Sequence, residues 1–137
     1  MMKKYIVFAL ALTLGFSAVA QKKELKTAKK ALAKGDFEKA GIALDAAEAF
    51  LVSMEDKYKS QYYLSRSIFY SKRDTDMSIN ADFENLKKAI AALEYVTNPA
   101  DAKELQIQQQ QLRAHLVNTG SLLLDKNDFI ASSNYFE

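Results

Sequence analysis

Lys34-Gly35-Asp36-Phe37 holds a helix stop and a helix start within four residues. Glycine takes a left-handed cap at little cost and so ends the helix before it. Aspartate accepts from the free amides of a new helix and so opens the one after it. Upstream of this turn, Lys22 to Lys34 reads as one helix. Downstream, Phe37 to Leu51 reads as the next, with Phe37, Ala40, Leu44, Ala47 and Leu51 at steps of three and four on one face. Asp45 and Glu48 fall off that face, as water requires. The same kind of turn recurs at Lys126-Asn127-Asp128-Phe129.

The stretch between the two turns continues the helical pattern. Asp56 to Ser71 reads as a third helix rich in aromatics: Tyr58, Tyr62, Tyr63, Phe69 and Tyr70. Lys72 to Asp82 is polar and aperiodic and reads as a loop. Asn80 or Asp82 caps a fourth helix carrying Phe83, Leu86, Ala89, Ile90, Leu93 and Val96. Asn98-Pro99-Ala100-Asp101 is a stop followed by a start, because proline suits a first helical turn. A long fifth helix then runs from about Pro99 to Leu124, with Gln108 to Gln111 on its exposed surface. A sixth begins at Phe129. Composition agrees: only 4 glycines and 1 proline occur in 137 residues, too few for the many turns of an all-β domain. The expected class is all-α.

The first twenty residues read as a secretory leader. Lys3 and Lys4 give a basic start, Tyr5 to Phe16 is uncharged and mostly apolar, and Ser17-Ala18-Val19-Ala20 ends in a small-x-small pattern. The apolar run is shorter than the ~20 residues of a membrane span. Cleavage is expected after Ala20, leaving a periplasmic or secreted chain from Gln21 that is soluble and has no membrane span. The leader takes two of the 19 basic residues, so the rest match the 17 acidic ones. A near-neutral chain gives no argument for nucleic acid. No cysteine is present, which excludes disulfides, thiolate metal sites and a thiol nucleophile.

The two turns and their flanks together resemble the tetratricopeptide repeat, a helix–turn–helix unit of about 34 residues. In the last unit Leu116 stands at the family's tryptophan site, Thr119-Gly120 at its Leu-Gly pair and Leu123 at its tyrosine. Ser132 and Phe136 stand at its Ala-x3-Phe, after Phe129. In the first unit, around Gly35 and Phe37, Ala28 replaces the glycine and Ala31 the tyrosine. Ala40 and Leu44 fill the Ala-x3-Phe sites, and Ala47 fits the second alanine. In the middle unit Leu64-Ser65 takes the Leu-Gly place, Ile68 the tyrosine place, and Ala89 with Leu93 the Ala-x3-Phe places. No unit has the tryptophan, Pro99 is only near the expected unit end, and Lys72 to Asp82 is an insertion. The resemblance implies tandem hairpins forming an α-solenoid over 21–137, with units at about 21–54, 55–98 and 99–137. The third unit stops at Glu137 without a capping helix, which leads to the expectation of a longer native chain.

No enzyme motif is present. His115 is the only histidine, and its four-residue neighbours are Gln111 and Thr119, so neither a metal site nor an acid–base pair is read there. There is no glycine-rich phosphate loop and no nucleophile elbow. No cofactor or metal is expected. The resemblance places Lys59, Tyr62, Arg66, Phe69 and Tyr70 toward a concave side, with Lys29 of the first unit beside them. Cations beside tyrosines suit an acidic or C-terminal peptide, although packed aromatics and solvated cations account for the same residues. Lys22, Lys23, Lys26, Lys29 and Lys30 make a basic first helix, read as a solvated face because acids follow soon after. The expected function is an exported protein-interaction scaffold that holds a peptide or protein in a helical groove. The alternatives are an oligomerisation module that self-associates through its last repeat, and an adaptor segment of a larger periplasmic or outer-membrane-associated protein.

Overall fold

The computed structural model describes the backbone of residues 2–72, 79–125 and 129–136. It describes side chains from Ala18 onward, apart from those of 79–81 and 129–131. The described residues form six helices and no strand: α1 (Met2–Lys34), α2 (Phe37–Glu48), α3 (Asp56–Lys72), α4 (Ile79–Leu93), α5 (Ala102–Asp125) and α6 (Phe129–Phe136). Short 3-10 turns, Leu51–Ser53 and Pro99–Asp101, stand after α2 and before α5. None of these helices is long and apolar enough to cross a membrane. The 126–128 turn and the 73–78 part of the expected loop lie outside the described residues, as do the side chains of Tyr5 to Phe16 and of Phe129.

The Gly35 turn forms as its residues require. Gly35 has φ +74°, its N–H donates to Leu32 O at 3.2 Å, and the Asp36 N–H donates to Ala31 O at 2.9 Å. Those two bonds satisfy the last carbonyls of α1. The Asp36 carboxylate accepts from Lys39 N at 3.1 Å and caps α2. Asn98 does the same ahead of Pro99, accepting from Ala100 N at 3.3 Å.

Four boundaries differ from the sequence reading. Helix α1 starts at Met2, not Lys22, so the expected first helix continues one that begins twenty residues earlier. Helix α2 stops at Glu48, and Leu51 belongs to the 3-10 turn that follows. Helix α4 starts at Ile79, so Asn80 and Asp82 lie inside its first turn instead of capping it. Asp82 is spent on other helices, as described below. Helix α4 stops at Leu93, and Val96 is buried beyond its end.

Chain-adjacent helices pair: α1 with α2, α3 with α4, and α5 with α6. The α3/α4 pair lies between the other two, with α3 touching α1, α2 and α5, and α4 touching α5 and α6. One apolar core joins α1 and α2 to α3 through Leu25, Ala28, Leu32, Ala40, Leu44, Tyr62 and Phe69. A second joins α4, α5 and α6 through Leu86, Ala89, Leu112, Leu123 and Tyr135. Ala28, Ala40, Ala47 and Ala89 are fully buried, and residues this small let helix axes approach closely. Leu44 and Leu86, buried to 0% and 1% exposure, each contribute roughly 1.5–3 kcal/mol of apolar burial. Tyr70 packs against both cores.

Between the two cores the contact is polar. Ser60 Oγ donates to Asp101 Oδ2 at 2.7 Å and accepts from the Asn98 N–H at 3.1 Å. Gln108 Nε2 donates to Ser67 Oγ at 3.2 Å and to Ser71 Oγ at 2.9 Å. Ser60 to Ser67 and Asp101 to Gln108 both advance seven residues, so α3 and α5 run in the same direction. Gln108 is buried, which corrects the exposed reading of the glutamine run for that one residue; Gln109, Gln110 and Gln111 are exposed.

Candidate functional site

A groove of about 220 Å³ lies where α1, α3 and α5 meet. Leu25, Leu32, Leu64 and Ile68 give it an apolar floor, while Lys29, Lys72 and Glu104 stand around it. Leu25 and Leu32 come from the buried stripe of α1, and Leu64 and Ile68 sit one helical turn apart on α3. Lys29 Nζ reaches Glu104 at 3.0 Å and ties α1 to α5 beside the groove. Both side chains are exposed, so the pair contributes about 0–1 kcal/mol and opens readily.

Of the six residues expected to face a partner, only Lys29 lines this groove. Tyr62, Arg66 and Phe69 are buried, and Tyr62 and Phe69 belong to the core shared with α1 and α2. Arg66 Nε donates to the Tyr62 hydroxyl at 2.8 Å, and Nη2 donates to Asp45 at 2.6 Å and Glu48 at 2.7 Å. Its charge is therefore already answered by two carboxylates of α2. Burial alone opposes the charged guanidinium, but the bonds to Tyr62 and Asp45 outweigh it and raise the Arg66 pKa. Burial pushes the Tyr62 phenol up to about 12, against the opposing pull of Arg66. Lys59 lies 3.9 Å from Asp56, and Tyr70 bridges the two cores. The six residues do not form one surface.

The sequence marks Leu64 and Ile68 as repeat positions by resemblance and does not mark them as groove lining. The signal that could have found them is their four-residue spacing on the face of α3 opposite Tyr62, Arg66 and Phe69.

A second polar cluster joins α4, α5 and α6. Asp82 Oδ2 accepts from the Tyr135 hydroxyl at 2.8 Å and lies 3.1 Å from His115 Nε2. The sequence reading found no carboxylate within helical reach of His115; the carboxylate comes from another helix, 33 residues away. Burial raises the Tyr135 phenol above its ordinary value, and the bond to Asp82 adds to this. Among the described residues, no group of three or more histidine, cysteine, aspartate or glutamate side chains converges to hold a metal.

Gly120, Ser132 and Phe136, expected at repeat positions, lie together. Ser132 Oγ donates to Gly120 O at 2.9 Å, and the Phe136 ring lies against Gly120. Gly120, Ser132 and Phe136 thus join Leu123 and Tyr135 in the contact between α5 and α6. Compared with protein-family models, curated proteins and solved structures, the chain matches none.

Proposed function

We propose that the chain is an exported, tetratricopeptide-like scaffold that holds a peptide or protein segment in the α1/α3/α5 groove. The observation that carries this reading is the groove itself: α1 and α3 supply an apolar floor and two lysines beside it, and α5 adds Glu104. Such a surface buries aliphatic side chains of a partner and answers its charges at the rim. The close approach at Gly120 and the order of paired helices support the repeat assignment. No catalytic step belongs to the reading. His115 and Tyr135 both bond to Asp82 and so hold three helices together. Export rests on the leader pattern, with cleavage after Ala20 and a soluble product in the periplasm or outside the cell.

Selection of displayed random peptides on the purified chain tests the groove. Selected peptides should bind the wild type and lose affinity for Gln61→Trp, which fills the groove from an exposed position of α3. Equal binding to both proteins, with helicity unchanged, overturns the groove reading. A second reading, self-association, is favoured by the exposed apolar side chains Val117, Leu122, Leu124 and Phe136 on α5 and α6. Sedimentation across concentration separates the two: a groove binder stays monomeric, and an assembly module does not.

A further inference from the structure

The segment of α1 from Gln21 to Lys34 carries six lysines, Lys22, Lys23, Lys26, Lys29, Lys30 and Lys34, and one acid, Glu24. All six lysines are exposed, whereas Gln21, Leu25, Ala28, Ala31 and Leu32 are buried against the body. Lys22, Lys26, Lys29 and Lys30 stand at i, i+4, i+7 and i+8 and so share one face; Lys23, Lys30 and Lys34 run along its flank. Like charges at this spacing repel and weaken a helix. Among the described residues, only Lys29 of the six has a carboxylate partner. Lys22 instead lies 5.5 Å from the centre of the Tyr58 ring. The acids that follow in sequence do not neutralise the face: Asp36 caps α2, and Asp45 and Glu48 hold Arg66.

We propose that this lysine face docks on the anionic headgroups of a phospholipid bilayer. One observation favours a lipid surface over other polyanions. The cations are all lysines, with no arginine and no aromatic residue between Gln21 and Lys34. Lysines act as point charges on long stems and suit a diffuse headgroup field. Readers of nucleic acid add arginine forks or stacking rings. Of this face only Lys29 also stands at the groove, so a chain that binds no peptide still carries the docking.

Co-sedimentation of the exported protein with vesicles tests it. Binding to vesicles of phosphatidylglycerol in phosphatidylcholine should exceed binding to phosphatidylcholine alone, and the excess should vanish in molar salt. Each neutralised lysine should cost roughly fivefold in partition, so K22Q/K23Q/K26Q/K30Q should lose on the order of several hundredfold of the excess. Glutamine keeps helix propensity, and unchanged circular dichroism confirms that the variant folds. Lys87→Gln with Lys88→Gln, on α4, should leave the excess in place. Equal binding to neutral and anionic vesicles, or an unchanged excess in the four-lysine variant, overturns the proposal. So does duplex DNA that displaces the vesicles at equal phosphate concentration, which would mark an unselective polyanion surface.

Discussion

The Phe136 ring occupies the space that a side chain on Gly120 would take: a Cβ at residue 120 would stand 2.7 Å from Phe136 Cζ. Alanine at a helical glycine normally gains about 0.5–1 kcal/mol from backbone entropy. Here the gain is opposed, because the half-exposed ring must swing away and give up its contact with α5. Gly120→Ala should therefore be near neutral or destabilising in the wild type and stabilising by about 0.5–1 kcal/mol in a Phe136→Ala background. Urea unfolding of the four proteins of this double-mutant cycle reads the coupling, expected at about 1 kcal/mol or more. Additive effects would mean that the ring does not rest on Gly120.

Arg66 holds Tyr62, Asp45 and Glu48 at once, and the three partners differ in burial. The Tyr62 hydroxyl is inside the protein, whereas the Asp45 and Glu48 side chains are 72% and 58% exposed. Arg66→Ala should cost about 2–4 kcal/mol, from lost stem packing and a buried hydroxyl that loses its donor. Asp45→Asn and Glu48→Gln should each cost less than about 1 kcal/mol, because water takes over at an exposed carboxylate. Chemical denaturation ranks the three. A carboxylate variant as costly as Arg66→Ala would show that the ion pairs, not the phenol and the packing, set the stability.

The parts of this fold that were legible in sequence are those with local causes. Gly35 and Asp36 act within four residues of themselves, and the Phe37-Ala40-Leu44-Ala47 spacing needs only one helix to be seen. Ser132 and Phe136 were legible because a small residue at Gly120 marks close approach. What stayed hidden depends on which neighbour a helix face meets. Nothing near Arg66 states that its carboxylates lie on α2 instead of on a partner molecule. Nothing within Gln108 to Gln111 separates the buried glutamine from the three exposed ones. The separation lies in a long-range match, since Ser60 and Ser67 share their seven-residue spacing with Asp101 and Gln108. His115 has no carboxylate within helical reach on α5, and its partner comes from α4.

The Tyr62 phenol ties stability to alkaline pH. Its folded pKa, about 12, lies above the ordinary value of 10.0. Between those values the unfolded chain releases the proton and the folded chain keeps it, so stability falls as pH rises through that window. Below the window Tyr62 contributes no slope. The urea midpoint of the wild type should drop more steeply across the window than that of Tyr62→Phe, after Tyr62→Phe has lost the hydroxyl bond to Arg66 at neutral pH. Parallel slopes for the two proteins would remove Tyr62 as the source.

Ser60 and Ser67 are the same residue type, both fully buried on α3, yet their truncation should not cost the same. Ser60 donates to the carboxylate of Asp101 and accepts from the Asn98 amide. Its removal strands a nearly buried charged group and a backbone N–H together, a loss of about 1.5–3 kcal/mol. Ser67 accepts from Gln108 Nε2, and that amide keeps its bond to Ser71 when Ser67 is lost. Ser67→Ala should cost only about 0.5–1.5 kcal/mol. Removing the charge should largely rescue the first variant, so Ser60→Ala with Asp101→Asn should be more stable than the sum of the single changes requires. Urea unfolding and amide exchange at Asn98 measure both effects. Equal losses at Ser60 and Ser67, with no rescue at Asp101, would show that burial of the serine alone governs this seam and that the α3–α5 register is not held by the charged bond.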